Sequence, residues 1–205
     1  MTTDIRLLSG AADLETLYAF RYRIYVEEMN RPQKHADHVR RSIRDPLDDT
    51  AYNFAAYARD EMIGCMRVNF AADGGLDYYR GLLRMDALSP RYPAGVALCT
   101  RLMVLPEHRG SPLALRFCAA GLDLGLRSGI DWNFIDCNDH LVGFFERIGY
   151  EWTHHAVHEE YGRVNAMRFD LRSLDRLKAV GSPLLRGLQK ADGASWPQRA
   201  FDAAV

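Results

Sequence analysis

The stretch from residue 97 to residue 152 constrains the fold most, because strand and helix signals alternate in it over a short distance. Residues 97–105 and 130–137 are apolar runs of strand length. Between them, residues 113–127 carry the apolar positions of a largely buried helix, and Pro112 suits its first turn. A second helix is expected to end at Gly149, before another strand. The pattern therefore predicts strand, turn, helix, strand, helix, strand.

The turn at residues 106–112 is a candidate anion site. A strand that leads into a glycine-containing turn and a helix N-terminus brings unpaired backbone N–H groups and the positive end of the helix dipole together. Arg109, Gly110 and Ser111 lie in this turn. Spacing alone fits an anion site and an ordinary strand–helix connection about equally well.

The rest of the chain reads as two hairpins and several helices. A first strand is predicted at 4–8, a helix at 11–29 with a bend near 21–23, and hairpins at 52–70 and 151–171. Residues 30–50 are polar and charged, which predicts a long loop or flap. Residues 74–93 read as a loop with a short helix near 79–83. A C-terminal helix at 174–188, interrupted at 181–183, precedes a tail.

Composition narrows the class of protein. The 205 residues, 48% of them hydrophobic, suggest one domain over 1–190 with a flexible tail over 191–205. The net charge of −1 gives no general attraction to nucleic acid or to an anionic membrane. No signal peptide or membrane-spanning stretch is evident.

Cysteine and histidine usage points to a cytoplasmic protein without a metal. Cys65, Cys99, Cys118 and Cys137 lie in apolar contexts and read as buried, reduced thiols. The histidines around His154 and His158 lack a second cluster of ligands, so no metal site is expected.

Two motifs in this stretch resemble the GCN5-related N-acyltransferases, the GNAT fold. Residues 109–114 (RGSPLA) resemble the loop R/Q-x-x-G-x-G/A, and residues 138–150 (NDHLVGFFERIGY) resemble N-x-x-A-x-x-L-Y-E-K-x-G-F. The resemblance implies an α/β (α+β) fold. Its central sheet is mixed, mostly antiparallel and splayed between strands 4 and 5, with flanking helices.

The same resemblance implies where an acyl thioester would bind. The donor, acyl-CoA or the 4′-phosphopantetheine of acyl-carrier protein, would lie along one strand and the turn after it. The implied contacts are Met103, Val104, Leu105, Arg109, Gly110, Ser111, Leu113, Ala114 and Asn138. Pro112 removes a backbone donor, which should weaken a pyrophosphate more than a single phosphate. Phe145 stands where the family has a proton-donating tyrosine, and we expect it to contact substrate.

Residues 20–68 resemble the acyl-homoserine-lactone synthases and the N-acyl amino acid synthases. The matching segments are FRYRIYVE at 20–27, DPLDD at 45–49, GCMR at 64–67 and Thr100-Arg101. The lactone synthases have a glutamate where this chain has Leu98, and their flap tryptophan has no clear counterpart here. These departures favour the N-acyl amino acid branch.

The resemblance implies an acceptor site made of carboxylates and arginines. Asp45, Asp48 and Glu27 are candidate catalytic residues, with Glu107 as a further candidate base. Arg23, Arg67 and Arg101 are expected to hold the carboxylate of an amino acid acceptor. Alternatively these arginines pair with Asp45 and Asp48 and hold the flap in place. Both roles are compatible.

The sequence thus predicts an N-acyltransferase that moves a medium or long acyl chain from acyl-carrier protein or acyl-CoA to an amine. The alternatives are an acetyl-CoA-dependent small-molecule acetyltransferase and a non-catalytic sensor of acyl thioesters. The expected partners are acyl-carrier protein and a small amine, and the chain is expected to be a monomer or homodimer.

Overall fold

The structure, a computed structural model, describes residues 3–185. The predicted tail at 191–205 and the end of the predicted C-terminal helix lie outside the described residues. The strands are β1 (Thr3–Leu7), β2 (Ala36–Asp37), β3 (Ser42–Ile43), β4 (Ala51–Ala58), β5 (Glu61–Phe70), β6 (Val96–Val104), β7 (Trp132–Cys137), β8 (Glu151–His158) and β9 (Gly162–Asp170). The α-helices are α1 (Ala11–Tyr22), α2 (Asp77–Leu83), α3 (Met85–Leu88), α4 (Leu113–Arg127), α5 (Val142–Ile148) and α6 (Leu174–Ala179).

Seven strands form a mixed sheet in the order β1-β4-β5-β6-β7-β9-β8. β6 and β7 pair in parallel from Val96 to Leu98, opposite Trp132 to Phe134, and both strands continue beyond this paired part. The pairs β1–β4, β4–β5, β7–β9 and β8–β9 are antiparallel. The predicted α/β fold with a mostly antiparallel sheet and flanking helices is therefore confirmed.

The described chain divides into two compact units that interleave in sequence. The first contains 3–69 and 100–117, and the second contains 70–99 and 118–185. β6 and α4 each contribute residues to both units. The expectation of a single domain over 1–190 stays a prediction.

In the first unit, the predicted bend near residues 21–23 is a change in helix type. α1 ends at Tyr22 and the chain continues as a π-helix over Arg23–Glu28. Residues 30–50 are not the featureless loop that their composition suggests. They contain the β2–β3 ladder and a 3-10 helix over Pro46–Thr50. Two-residue strands carry no readable periodicity, which is why the sequence does not reveal them.

In the second unit, the core lies on β7 and β9. Phe134, Ile135, Met167 and Phe169 are all at most 3% exposed. Gly149 ends α5 with a φ of 124°, and a Cβ there would come within 2.8 Å of the Phe169 ring. Glycine meets both demands, because it tolerates this φ and leaves the ring its space. Across residues 3–185, no helix combines the length and apolar character needed to span a bilayer.

Candidate active site

Asp45 and Asp48 are placed by the 3-10 helix that they begin. The Asp45 carboxylate accepts a hydrogen bond from the Leu47 amide at 3.0 Å, and the Asp48 carboxylate accepts one from the Asp45 amide at 2.9 Å. This reciprocal capping, with Pro46 in the first turn, explains why the sequence DPLDD folds locally. The two carboxylates therefore have fixed positions.

Arg67 of β5 and Arg101 of β6 meet these carboxylates. Arg67 Nη1 lies 2.6 Å from Asp45 Oδ1 and 3.3 Å from Asp48 Oδ1, and Arg67 Nε donates to Thr100 Oγ1 at 3.0 Å. Arg101 Nη2 donates to Asp45 Oδ2 at 2.8 Å. Each oxygen of Asp45 thus accepts from a different guanidinium.

The electrostatics of this arrangement keep Asp45 ionised. Burial raises the pKa of the carboxyl, but the charges and hydrogen bonds of Arg67 and Arg101 outweigh it. The pKa of Asp45 therefore lies well below its usual range. A carboxylate of such low basicity is better suited to holding arginines than to accepting a proton at neutral pH.

Arg21, which the sequence-based prediction passed over, completes the cluster. Its side chain is fully buried, with Nη1 at 2.8 Å from both oxygens of Asp48 and Nη2 at 2.7 Å from Asn53 Oδ1. The signal was present, because Arg21 follows Leu17 by four residues and precedes Ile24 by three, on the buried helix face. We call the side chains of Arg21, Asp45, Asp48, Arg67 and Arg101 the ionic network.

Arg23 does not join the ionic network. Its side chain is 51% exposed, and Nη1 lies 3.3 Å from Glu61 Oε1. Of the three arginines predicted to converge, Arg67 and Arg101 do so. The third arginine of the network is Arg21 instead of Arg23. Residues two apart on a helix point to nearly opposite sides, so Arg21 and Arg23 cannot both face the buried side.

Arg101 lies at the outer edge of the network in an unusual conformation. It has a φ of 57° within β6, in the left-handed region that costs an arginine about 1–3 kcal/mol. Its Nη1 donates to Gln33 Oε1 at 2.7 Å, and its Cζ lies 4.9 Å from the centre of the Tyr25 ring. Neither Gln33 nor Tyr25 was predicted as a site residue. Gln33 lies outside the matching segments, and Tyr25, although part of the FRYRIYVE segment, has no charge that would have marked it as a candidate.

The remaining carboxylate candidates lie elsewhere. Glu27 accepts a hydrogen bond from Arg41 Nε at 2.9 Å on the surface. Glu107 is exposed in the 3-10 helix over Pro106–His108. Neither is brought into the ionic network.

A cavity of about 950 Å³ lies in the first unit beside the network. Asp45 forms part of its wall, together with charged and polar residues of α1 and the 35–49 segment. These include Tyr18, His35, Arg44 and Asp49. The volume is within the range of small-molecule sites.

The predicted donor loop starts where β6 ends. The Leu105 amide donates to Ile63 O at 3.0 Å, so this predicted donor contact is already used within the sheet. Arg109 Nε donates to Val104 O at 2.9 Å. Gly110 has a φ of 79°, with open space where a Cβ would stand, and α4 begins at Leu113 as predicted.

The predicted site residues of the second unit are Asn138 and Phe145. Asn138 precedes the 3-10 helix over Asp139–Leu141, and its side chain makes no capping hydrogen bond. Phe145 is 6% exposed and packs edge-on against Tyr150. The Tyr150 hydroxyl donates to Asn133 Oδ1 at 2.8 Å, and burial raises its pKa well above the usual value. The phenol beside Phe145 is therefore a poor proton donor.

The surroundings of the cysteines and of His158 indicate structural rather than catalytic roles. Cys65 and Cys137 are buried as predicted, whereas Cys99 and Cys118 are half-buried, and all four are free thiols. Burial raises the pKa of Cys137 to about 12, which keeps it protonated. His158 packs against Tyr161, and within residues 3–185 no group of three or more potential ligands is placed to hold a metal ion.

Three solved structures show what this fold resembles. The CoA-dependent acyl-homoserine lactone synthase BjaI, with SAM and isopentyl-CoA, is 19% identical over 98% of this chain and 99% of that chain, with a TM-score of 0.70. The AHL synthase LasI is 15% identical over 88% and 96% of the two chains, with a TM-score of 0.68. FeeM, an N-acyl amino acid synthase from uncultured soil microbes, is 15% identical over 84% and 92%, with a TM-score of 0.63.

At 15–19% sequence identity the structural similarity establishes the fold alone, and the family assignment rests on the sequence comparison. Comparison with curated proteins gives no match. The family model described as N-acyl amino acid synthase FeeM matches residues 16–169, which include all five members of the ionic network and the predicted donor loop. The chain therefore belongs to the FeeM family of N-acyl amino acid synthases and is an acyltransferase.

Proposed function

We propose that this acyltransferase moves a medium or long acyl chain from an acyl thioester to the amino group of an amino acid or a related carboxylate-bearing amine. The observation that carries the proposal is the charge of the ionic network. Three guanidiniums face two carboxylates, and all five side chains are at most 8% exposed. The five groups carry a formal net charge of +1, which suits the carboxylate of an amino acid acceptor.

Arg101 is the network member best placed to meet the acceptor. It is the outermost of the three arginines, at 7% exposure against 0% and 1% for Arg21 and Arg67. Its strained backbone is of the kind that persists at functional sites because the surrounding structure holds it.

In this proposal Asp45 and Asp48 act mainly by holding the arginines. The acceptor must lose a proton before its nitrogen attacks the thioester, and a carboxylate of depressed pKa accepts it poorly. We therefore propose that the acceptor loses its proton to water. In the alternative predicted from the sequence, Asp45, Asp48 or Glu27 accepts this proton. Aligning the amine with the carbonyl is then the main contribution of the site.

The donor would bind by its phosphopantetheine arm along Met103 and Val104, with a phosphate near Arg109. Support for a single phosphate comes from Gly110, which leaves open space beside a guanidinium, and from Pro112, which offers no N–H to a second phosphate. This favours acyl-carrier protein over acyl-CoA as donor and partner. Arg109 and Arg116 would then attract the acidic surface of the carrier protein.

The test is mass spectrometry of the full chain incubated with C2 to C16 acyl-carrier protein or acyl-CoA and a pool of amino acids. Long-chain N-acyl amino acids support the proposal and identify both substrates. Acetylated products alone would point to a small-molecule acetyltransferase. Binding of acylated carrier without product would favour a sensor, for which Phe145 in the tyrosine position is the supporting observation.

Replacing Arg101 with Ala tests the acceptor site directly. We expect KM for the amino acid to rise about tenfold or more, as for loss of a charged hydrogen bond, while donor binding is kept. Equal KM values in parent and variant would contradict the role of Arg101. An acceptor series with and without a carboxylate provides the control, because only acceptors with a carboxylate should respond.

A further inference from the structure

Arg109, the cation of the donor loop, already has an anionic partner. Its Nη2 lies 2.6 Å from Glu28 Oε1, and its Nε donates to Val104 O. Glu28 is the last residue of the π-helix, so the contact joins an element distant in sequence to the loop. Both side chains are partly exposed, Arg109 at 48% and Glu28 at 28%. The carboxylate therefore lowers the positive charge that the loop presents to solvent.

The backbone of this loop has few amides left for an anion. The Arg109 amide donates to Pro106 O at 3.1 Å, and the Ser111 amide to His108 O at 3.4 Å. The Leu113 amide donates to Ser111 Oγ at 3.3 Å, and Pro112 has no N–H. A phosphate at this loop must therefore rely largely on the Arg109 guanidinium, whose charge Glu28 offsets.

We propose that Glu28 is a specificity-determining residue that selects donors by phosphate charge. The inference rests on the proposed function, because it takes the anion at the loop to be a phosphate of the acyl donor. CoA brings a pyrophosphate and a 3′-phosphate, whereas a carrier-bound phosphopantetheine brings one phosphodiester. A fixed carboxylate beside Arg109 repels each added negative charge, so its effect grows with the number of phosphates.

The guanidinium can still meet a single phosphate while Glu28 stays in place. Arginine has five N–H donors, and the contacts with Val104 and Glu28 use one edge of the fork. These contacts also fix the plane of the guanidinium. Glu28 thus combines two effects, orienting Arg109 for one phosphate and penalising more highly charged donors.

The experiment measures binding of CoA and of pantetheine, which lacks phosphate, by calorimetry at low and high salt. Glu28→Gln keeps the shape and removes the charge. We expect it to bind CoA about threefold more tightly at low salt, with a smaller gain at high salt and unchanged pantetheine binding. The gain should vanish in the Glu28→Gln, Arg109→Ala double variant, relative to Arg109→Ala alone.

Asp13→Asn is the matched control, because it removes an exposed carboxylate that faces Arg6 in the same unit. Equal gains for CoA and pantetheine, a gain that persists without Arg109, or the same gain in Asp13→Asn would each overturn the proposal.

These results separate the role of Glu28 from the proposed function. CoA binding that depends on Glu28, without any product in the acyl-transfer assay, rejects the function alone. Product formation with equal CoA affinity in parent and Glu28→Gln rejects the selectivity alone. Absence of CoA and pantetheine binding in both proteins rejects the selectivity, and the acyl-transfer assay with acyl-carrier protein then decides the function.

Discussion

At the scale of single residues, Arg21 and Arg23 show how strongly position on a helix determines a role. The two have the same side chain and are two residues apart, yet one is fully buried and the other is 51% exposed. Arg21 must keep Asp48 and Asn53 as partners, because a buried guanidinium without them would be costly. Arg23 has water as an alternative partner.

We predict that Arg21→Met and Arg23→Met differ sharply in stability. Arg21→Met leaves Asp48 buried with one partner fewer and should lower the free energy of unfolding by about 3–5 kcal/mol. Arg23→Met removes an exposed pair and should change it by at most about 0.5 kcal/mol. Urea unfolding followed by circular dichroism measures both. Similar losses in the two variants would contradict the buried network.

At the scale of elements, the first unit depends on the close approach of β5 to β6 and α4. A Cβ at Gly64 would stand 2.9 Å from Met103 O and 3.0 Å from the Phe117 ring. The packing at this point therefore requires glycine for space rather than for an unusual φ. Because β5 carries Arg67 and β6 carries Arg101, this spacing also positions the ionic network.

We predict opposite effects for two glycine-to-alanine changes. Gly64→Ala should destabilise the protein by about 1–3 kcal/mol, because backbone and an aromatic ring must move. Gly81→Ala, in α2 with nothing within 4 Å, should stabilise it by about 0.5–1 kcal/mol, since alanine favours the helix. Denaturant midpoints at equal m-values provide the comparison. A neutral Gly64→Ala would show that the strands can separate at little cost.

At the scale of the whole molecule, the ionic network links stability to pH. Arg67 and Arg101 hold the pKa of Asp45 well below its usual range, so the folded state binds this proton less readily than the unfolded state. The resulting stabilisation is fully present above the unfolded pKa of about 4 and is lost as pH falls towards the folded pKa.

We predict that the stability difference between the parent and Asp45→Asn narrows as the solution is acidified. The amide introduced by this change cannot titrate, so the difference should be constant from pH 7 to about pH 5 and shrink below about pH 4. Urea unfolding at a series of pH values measures it, and carboxyls that do not contact the ionic network cancel in the comparison. A difference independent of pH down to about pH 2 would show that Asp45 is not held ionised by its arginines.

The sequence alone determined much of this protein, where the signals are local or belong to motifs. α4 begins and ends as predicted, Gly149 ends α5, and the two hairpins lie where alternation and turns indicated them. These local successes share one cause, since helix periodicity and turn chemistry are properties of neighbouring residues. Asp45, Asp48, Arg67 and Arg101 were named from the family resemblance and not from a local pattern; the structure brings them together, and their roles stay predictions.

Only the tertiary structure decided which groups meet across the chain. It placed Arg21 rather than Arg23 against Asp48, added Gln33 and Tyr25 to Arg101, and paired Glu28 with Arg109. It also showed β2 and β3 inside the charged flap. The side-chain contacts join residues 27 to 81 positions apart. No local pattern encodes them, because burial and charge pairing are satisfied only once the strands and helices have packed.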